Sequence, residues 1–219
     1  MGEIVINQEC KLVMFDMDGT LIKERTIFVL AEKNGFKDKL MGIWNANIEP
    51  YQKSIEIAKF LKGFDSRDFL KIFREIVLQE KAKEVIEELN ESQVKTAIVT
   101  DSYQLFANDL KKRLNIDYTF GNDLIINNHI ITGELVLHNN SKIPCESGRI
   151  YSICKGFVLD KLSKRLNIKN TETIAVGDGI VDIGMIKKAG VGIAFNASKE
   201  VQKHADVITN DLGVILDYI

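Results

Sequence analysis

The sequence is poor in proline and has no apolar run long enough to cross a membrane. Its two prolines exclude a proline-rich linker between domains. A membrane span needs about 20 consecutive apolar residues, and no stretch of the chain approaches that length. Neither sign of charge dominates, because the formal net charge is -2. This balance gives no reason to expect a partner held by bulk charge, such as nucleic acid or a membrane surface.

Cysteine is also scarce. The three cysteines, Cys10, Cys145 and Cys154, cannot all pair within one chain. Their spacing contains no CxxC and does not match a zinc site, so we interpret them as reduced, partly buried thiols. The residues before Lys11 include Glu3 and no basic segment, which is not typical of a signal peptide. We therefore expect a cytoplasmic protein.

The sequence contains several short apolar runs instead of long ones. Their length and continuity are typical of strands buried on both faces of a parallel sheet; they cover residues 11–16, 94–100, 173–177 and 191–195, with a short edge strand at 207–209. Amphipathic segments with helical spacing lie between them, over residues 81–90, 104–114, 156–166 and 180–189. This alternation predicts an α/β protein with a Rossmann-like, doubly wound parallel sheet as its core.

The segment between the first two strands lacks the alternation. Residues 26–78 carry apolar side chains at helical spacing and contain no convincing strand. Ser66 is placed to cap the last of these helices. We therefore predict a small helical cap, residues 26–78, inserted after the first strand of a core formed by residues 1–25 and 79–219. An insert at this position can close over a site at the carboxyl end of the first strand.

A second exception lies in residues 123–137, where two apolar runs flank Asn127-Asn128-His129. This pattern predicts a β-hairpin in which His129 is a polar turn residue. The polar residues 139–148 that follow predict a loop.

Polar residues that can do chemistry follow the predicted strands. The first strand ends in Asp16-Met17-Asp18-Gly19-Thr20. Ligands of doubly wound proteins bind outside the carboxyl ends of the strands, so Asp16 and Asp18 can both face that crevice. Gly19 permits a positive φ or a close backbone approach, and Thr20 offers a hydroxyl. Two acids beside an apolar strand are costly unless a cation or hydrogen bonds compensate them.

The other strand ends supply groups that complement these acids. Thr100 and Asp101 follow the second strand, where hydroxyls and turn amides can hold phosphate oxygens. Lys155 opens a later helix with a point positive charge. Asp178 ends the third strand, and Asp182 comes four residues later. Asp16 and Asp178 can supply two carboxylates to Mg²⁺, a cation that prefers oxygen ligands.

Together these groups match the needs of phosphoryl transfer. Asp16 would attack phosphorus and form an aspartyl phosphate. Asp18 would protonate the departing alkoxide and then deprotonate the water that hydrolyses the intermediate. Magnesium, Lys155, Thr100 and backbone amides would offset the phosphate charge, and Asp182 would orient Lys155 or a magnesium-bound water. A lone DxD is a weak signal, so the prediction depends on four such elements occurring in order.

These motifs resemble those of the haloacid dehalogenase-like hydrolase superfamily. DMDGTL at residues 16–21 is similar to its first motif, and GDGIVD at residues 177–182 to its fourth. Thr100 matches the hydroxyl residue of the second motif and Lys155 the lysine of the third. The resemblance covers nearly the whole chain. It implies a Rossmann-like core with a mobile cap, hydrolysis of a small phosphorylated metabolite, and a magnesium contact from the carbonyl oxygen of Asp18.

Within the superfamily the chain is most similar to phosphoserine phosphatases, but its expected substrate contacts differ. Arg25, with Glu24 beside it, stands where those enzymes place a glutamate for the serine ammonium. Ile55 stands where they place an arginine for the carboxylate. Val181 replaces an asparagine, and Asp101 replaces a glycine. These departures count against phosphoserine, and Arg25 would instead meet a second anionic group of the substrate.

Other functions fit part of the pattern. A phosphotransferase or mutase would pass the phosphoryl group to an acceptor other than water. A regulatory binding module would keep the fold without catalysis, which the intact set of charged site groups argues against. A phosphorylated receiver domain is shorter and has no cap, and the missing membrane spans exclude a P-type pump. The sequence leaves the oligomeric state open.

Overall fold

The computed structural model describes residues 9–219, in which seven strands form one sheet. The strands are β1 (Leu12–Phe15), β2 (Lys95–Tyr103), β3 (Tyr118–Asn127), β4 (Ile130–Val136), β5 (Thr173–Gly177), β6 (Val191–Phe195) and β7 (Val207–Thr209). Their spatial order is β4-β3-β2-β1-β5-β6-β7. Neighbours are parallel except for the pair β3 and β4. The order runs outward from β1 in both directions, so the predicted doubly wound α/β class is confirmed.

Helices connect the strands. They are α1 (Thr26–Lys33), α2 (Lys37–Trp44), α3 (Pro50–Phe60), α4 (Ser66–Glu75), α5 (Ala82–Glu91), α6 (Gln104–Leu114), α7 (Lys155–Leu166), α8 (Ile183–Lys188) and α9 (Lys199–Gln202), with short 3-10 turns at Asn170–Glu172, Ile180–Asp182 and Leu212–Tyr218. None of the helices in residues 9–219 has the length and apolar character needed to cross a membrane. The segment before residue 9, which includes most of the stretch examined for a signal peptide, lies outside the described residues.

The core lies on both faces of the sheet. Val13 and Phe15 of β1 belong to one apolar cluster, together with residues of α5 and α6. Leu12 and Met14 belong to a second cluster, together with residues of α7. Alternate side chains of a strand point to opposite faces, so β1 is buried on both sides. This burial explains why the strand reads as a continuous apolar run.

The helices α1 to α4 follow β1 without an intervening strand. We call residues 26–78, which contain these helices, the insert. The predicted cap residue of α4 is wrong, because Asp65 and not Ser66 caps this helix. The Asp65 carboxylate accepts a hydrogen bond from the backbone N–H of Arg67 at 2.8 Å. Ser66 is already the first helical residue, one position too late for its side chain to serve as the N-cap.

The predicted hairpin is present and contacts the insert. Asn128 and His129 have φ values of 48° and 69°, as a tight two-residue turn requires. β3 begins earlier than predicted, because its first half pairs in parallel with β2 before its second half pairs with β4. The backbone N–H of Ile131 donates to the carbonyl of Phe64 at 2.9 Å. The insert is thereby joined to the hairpin as well as to the end of β1.

Candidate active site

The end of β1 and the end of β5 lie side by side. Phe15 of β1 pairs with Val176 of β5, so the acids just beyond each strand meet at the same edge of the sheet. Asp16, Asp178 and Asp182 each offer a carboxylate oxygen, and these oxygens lie within 4.8 Å of one another. Asp16 and Asp182 are buried. Two motifs far apart in the sequence thus form one acidic cluster.

Lys155, the first residue of α7, enters this cluster. Its Nζ lies 2.5 Å from Oδ1 of Asp16 and 2.6 Å from Oδ1 of Asp182. The lysine side chain is 0% exposed. Burial alone would lower the pKa of Lys155, but the charges of Asp16 and Asp182 outweigh burial and raise this pKa. Lys155 therefore stays protonated and holds a fixed positive charge beside Asp16.

Asp182 has a second contact that fixes its position. Its Oδ2 accepts a hydrogen bond from the backbone N–H of Gly179 at 2.8 Å. The turn after β5 wraps closely around this carboxylate, since a Cβ at Gly177 would lie 2.4 Å from Cγ of Asp182. Only glycine fits at that position. Asp182 consequently links the turn after β5 to Lys155.

The second acid of the first motif faces the insert. Oδ1 of Asp18 accepts hydrogen bonds from the backbone N–H of Thr26 at 2.6 Å and from the Thr26 hydroxyl. Burial raises the pKa of Asp18 to about 7, although both Thr26 bonds act to lower it. The Asp18 carboxylate is not part of the three-acid cluster. Thr26 is absent from the site residues predicted from the sequence, although a hydroxyl residue at the start of the first helix after the motif could have indicated it.

Gly19 and Thr20 complete the first motif. Gly19 has a φ of +95°, so the predicted positive φ is confirmed, and a Cβ there would lie 2.7 Å from Oδ2 of Asp178. The carbonyl of Gly19 accepts a bond from the Gln79 side chain at 3.1 Å. Thr20 is completely buried, and its hydroxyl has no hydrogen-bond partner among the described residues. The glycine brings the backbone against Asp178, which no other residue allows without strain.

The loop at the end of β2 is fixed by a buried polar network. The Thr100 hydroxyl accepts a bond from the backbone N–H of Ser102 at 3.1 Å. The side-chain amide of Asn122 donates to the carbonyl of Asp101 at 2.7 Å and to the Ser152 hydroxyl at 2.9 Å. Asn122, a fully buried polar residue of β3, is also absent from the site residues predicted from the sequence. The network fixes Thr100 and Asp101, the residues predicted to bind phosphate, beside the acids that follow β1.

A cleft of about 60 Å³ lies between this sheet edge and the insert. Residues from both sides line it. On the core side these are Asp18, Asp101, Ser102 and Tyr103. On the insert side they are Arg25, which directly precedes the insert, and Ile27, Trp44, Ser54 and Ile57 within it. Burial raises the pKa of Tyr103, so its hydroxyl stays neutral. A molecule held in the cleft would therefore contact both sides.

Arg25 is the cation of this cleft. Its guanidinium lies 3.5 Å from Oδ2 of Asp178 and 5.8 Å from the centre of the Trp44 ring. Burial alone would lower the pKa of Arg25, but the nearby charges of Asp101 and Asp178 raise it. The guanidinium therefore carries its charge between the acids and the aromatic side of the cleft.

The other residues expected at the substrate lie elsewhere. Glu24 is exposed and does not line the cleft. Ile55 does not line it either, because Ser54 and Ile57, three residues apart on α3, present that face of the helix. Val181 lies in the turn between β5 and α8. Among these residues only Arg25 offers a charge to a molecule in the cleft.

The acidic cluster has the donors that a magnesium ion needs. Burial, and after it the charge of Asp16, raises the pKa of Asp178 to about 7. Carboxylate oxygens are hard donors of the type that Mg²⁺ binds. Residues 9–219 contain no other group of three or more acidic, histidine or cysteine side chains with this spacing. The residues at Asp16, Asp178 and Asp182 therefore fit a divalent cation.

Comparison with known proteins finds similarity along most of the chain. The profile of the haloacid dehalogenase-like hydrolase family matches residues 13–187. The chain is 33% identical over 218 residues to the phosphoserine phosphatase of Methanocaldococcus jannaschii, covering 95% of this chain and 97% of that protein. It is 33% identical over 205 residues to the phosphoserine phosphatase of Archaeoglobus fulgidus, of which it spans only 56%.

Solved structures give the same result for the fold. One of them is the structure of a phospho-aspartyl intermediate analogue of phosphoserine phosphatase. This chain is similar to it with a TM-score of 0.81 and 31% sequence identity, and the similarity covers 97% of this chain and 100% of that one. An apo phosphoserine phosphatase has the same TM-score and identity over 96% of this chain. The family match contains Asp16, Lys155, Asp178 and Asp182.

Proposed function

The chain belongs to the haloacid dehalogenase-like hydrolases and is a phosphatase of that family, and we propose that it hydrolyses a phosphomonoester of a small metabolite through a covalent intermediate on Asp16. The contact of Lys155 with Asp16 and Asp182, at 2.5 and 2.6 Å in a buried site, is the observation that supports this most strongly. A charge-paired carboxylate at a strand end is positioned to act as a nucleophile.

In the first half of the reaction, an Asp16 carboxylate oxygen attacks phosphorus. The bond between phosphorus and the ester oxygen breaks, and the departing alkoxide takes a proton from Asp18. Asp18 is suited to this role by position, because Thr26 holds its carboxylate at the lining of the cleft. The first product is the alcohol, and the phosphoryl group remains on Asp16.

In the second half, water attacks the phosphorus of the aspartyl phosphate. The water gives a proton to Asp18, and the bond between phosphorus and the Asp16 oxygen breaks. Inorganic phosphate is released and both acids return to their starting states. Asp182 acts through Lys155, whose ammonium it holds at 2.6 Å.

Magnesium would be held by Asp16 and Asp178, with Asp182 in the same acidic cluster, and the family resemblance adds the carbonyl oxygen of Asp18. When bound, the ion supplies positive charge to the phosphate oxygens. Lys155 supplies a second positive charge from the protein itself. The hydroxyl of Thr100 and the backbone around Asp101, Gly19 and Thr20 would offer hydrogen bonds to the same oxygens.

The helical insert, residues 26–78, would act as a cap on a core formed by residues 9–25 and 79–219. Its position across the cleft from the acids supports this, since Trp44, Ser54 and Ile57 line the side opposite Asp101. A cap of this kind excludes water during the first half of the reaction.

The leaving group would carry an anionic group that binds Arg25. Arg25 is the basic residue that lines the cleft, and its long contact to Asp178 leaves the guanidinium able to bind a carboxylate. The related phosphoserine phosphatases act on an ester with such a carboxylate. Phosphoserine itself also has an ammonium, for which Asp101 is the acid that lines the cleft beside Asp18.

A phosphate-release assay tests the catalytic proposal. Purified protein should hydrolyse an aryl phosphate with added Mg²⁺, and EDTA should abolish the activity. Asp16→Asn should lower turnover at least about 1,000-fold, because an amide cannot attack phosphorus. Asp38→Asn, an exposed acid of α2, is the matched control and should leave turnover unchanged. Undiminished activity of pure Asp16→Asn protein would exclude the covalent mechanism.

The same assay separates hydrolysis from transfer to another acceptor. Hydrolysis releases one inorganic phosphate for each alcohol formed. A phosphotransferase or mutase would form phosphorylated product with little free phosphate. After the first turnover, we expect phosphate and alcohol to form at equal rates.

A further inference from the structure

Glu146, in the segment between β4 and α7, packs against two glycines. If Gly156 carried a Cβ, this atom would lie 2.7 Å from Oε1 of Glu146, and a Cβ at Gly184 would lie 2.5 Å from Oε2. Packed atoms do not approach each other so closely, so the Glu146 carboxylate occupies the space that both glycines leave free. Gly156 is the second residue of α7 and Gly184 the second residue of α8. We call these two residues the glycine pair.

The glycine pair is also where α7 and α8 meet. A Cβ at Gly156 would lie 2.8 Å from the carbonyl oxygen of Gly184. The first turns of the two helices therefore approach each other through their backbones. Glycine leaves the backbone more conformational freedom than any other residue. The separation of the two turns consequently depends on the groups packed against them, and Glu146 packs against both.

Lys188 holds Glu146 in this place. Its ammonium lies 2.9 Å from Oε1 of Glu146 and 2.5 Å from Oδ2 of Asp160. Lys188 ends α8 and Asp160 lies on α7, so one lysine joins both helices to the segment that precedes α7. Burial alone would raise the pKa of Glu146, but the hydrogen bond from Lys188 lowers it. Oε2 of Glu146 accepts a bond from the Cys154 thiol at 3.7 Å. The carboxylate is therefore charged and has a partner on each oxygen.

Two residues of the proposed reaction lie next to the glycine pair. Lys155 directly precedes Gly156, and Asp182 lies two residues before Gly184. Nζ of Lys155 lies 2.6 Å from Oδ1 of Asp182, so this contact connects the starts of the same two helices. Both side chains are 0% exposed. A change in the separation of the two helix starts would therefore move the ammonium of Lys155 relative to Asp16.

We propose that Glu146 is a positioning residue for Lys155. Its carboxylate, held by Lys188, fixes the glycine pair and thereby the place of the Lys155 ammonium beside Asp16. Glu146 does not line the cleft and is not one of the three acids of the cluster, so it acts through Lys155. The part concerning turnover rests on the proposed function, whereas the position of Lys155 does not depend on that function.

Removing the side chain tests the proposal most directly. Glu146→Ala empties the space beside the glycine pair. We expect kcat for an aryl phosphate to fall about tenfold, because a displacement of about 1 Å can cost as much as about 100-fold. KM should change less than about twofold, since the residues on the insert side of the cleft are untouched. Glu88→Ala, at an exposed glutamate of α5, is the matched control and should keep wild-type kinetics.

The conservative variant separates positioning from a general loss of stability. Glu146→Gln has nearly the same shape, and its amide oxygen can still accept a hydrogen bond from Lys188. Its kcat should therefore stay within about twofold of the wild type, while Tm falls because an ion pair is lost. A residue with a purely structural role would lower Tm in both variants and leave kcat unchanged at temperatures below Tm.

A substitution on the other side of the contact gives an independent test. Gly184→Ala places a methyl group against Oε2 of Glu146, whereas the nitrogen of Gly156 lies at 3.4 Å, which is an ordinary contact. The single variant should displace Glu146 and lower kcat about as much as Glu146→Ala does. In a protein that already carries Glu146→Ala, the methyl group has room, so adding Gly184→Ala should cause no further loss.

Crystal structures of the wild type and Glu146→Ala would measure the displacement itself. The distance from Nζ of Lys155 to Oδ1 of Asp182 should increase beyond about 3.2 Å, the upper end of the usual range for a hydrogen bond. This readout needs no enzymatic activity. Wild-type protein without phosphatase activity would contradict the proposed function, and the distance would still decide whether Glu146 positions Lys155.

Several results would overturn the proposal. An unchanged kcat in Glu146→Ala, an equal loss in Glu146→Gln, or losses that multiply in the double variant would each show that Glu146 does not act through the glycine pair. An unchanged distance between Lys155 and Asp182 in Glu146→Ala would exclude the positioning role as well. If Glu146→Ala failed to fold, wild-type kcat in Gly184→Ala would be the contradicting result.

Discussion

The two sides of the cleft are built in different ways. On the core side, Lys155 is 0% exposed and is bonded to Asp16 and Asp182 at 2.5 and 2.6 Å. On the insert side, the Arg25 side chain and Trp44 are each 37% exposed, and Arg25 approaches Asp178 only to 3.5 Å. Catalysis gains most from charges fixed before the substrate arrives. We therefore propose that the core side handles phosphate in a fixed geometry and that the insert side adapts to the leaving group.

The largest effect should come from removing the fixed charge. Lys155→Gln leaves Asp16 and Asp182 buried without their cation, so we expect a loss of about 3–5 kcal/mol in the free energy of unfolding. Phosphatase turnover should fall by at least about 100-fold, because the charge beside the phosphate is lost. Denaturant unfolding and the phosphate-release assay measure the two effects. Lys164→Gln, an exposed lysine on the same helix, is the control.

If Lys155→Gln proved as stable and as active as Lys164→Gln, the core side would not be the fixed half of the cleft. A variant that is destabilised but fully active would also contradict the account. Lys155 would then serve folding and not catalysis.

An intermediate effect should follow from changing the backbone that approaches Asp178. Gly19→Ala places a Cβ 2.7 Å from Oδ2 of Asp178 and forces a side chain onto a φ of +95°. We expect a loss of about 1–3 kcal/mol in stability. Mg²⁺ binding should weaken too, which is measured by a smaller Mg²⁺-induced rise in Tm. Gly42→Ala, in open space on α2, should keep the wild-type response to Mg²⁺.

If the Mg²⁺-induced rise in Tm were the same in Gly19→Ala as in the wild type, Asp178 would not be part of the metal site. The acidic cluster would then need another explanation.

The smallest effect should come from the insert side. Arg25→Gln should raise KM about tenfold for esters with an acidic leaving group, because one charged hydrogen bond contributes about 1.5 kcal/mol. The kcat for the same esters should change less than about twofold, and esters with a neutral leaving group should be unaffected. Steady-state kinetics with phosphoserine, phosphoglycolate and glycerol phosphate would measure this difference.

If Arg25→Gln weakened the binding of esters with acidic and neutral leaving groups equally, the proposed difference between the two sides of the cleft would be wrong. Arg25 would then belong to the phosphate-handling group with Lys155, and the proposed preference for an anionic leaving group would be wrong.

The sequence was sufficient to predict most of the sheet. β5, β6 and β7 have the predicted bounds, because their residues form continuous apolar runs between clear turns. The start of β3 was not predicted, since Gly121 and Asn122 interrupt its apolar pattern. A Cβ at Gly121 would lie 3.0 Å from the backbone nitrogen of Gln104, so the glycine is there for packing against α6.

The acids and Lys155 could be proposed from motifs because each follows a strand or begins a helix. The hydrogen bonds that hold these residues in place could not be predicted, because the bonded partners are far apart in the sequence. Asn122 and Ser152 are separated by 30 residues, and only the fold shows that they share a hydrogen bond. The residues of α3 that face the cleft depend on the rotation of that helix, which a sequence pattern does not determine.

The most direct test of the account is to identify the phosphorylated residue during turnover. Protein is mixed with a labelled phosphomonoester and Mg²⁺, quenched in acid within the first turnover and digested with trypsin. We predict a hydroxylamine-sensitive label on the peptide of residues 12–23, at Asp16, and none in Asp16→Asn protein. Release of phosphate in the first turnover with no label on Asp16, or with the label on another residue, would contradict the central claim.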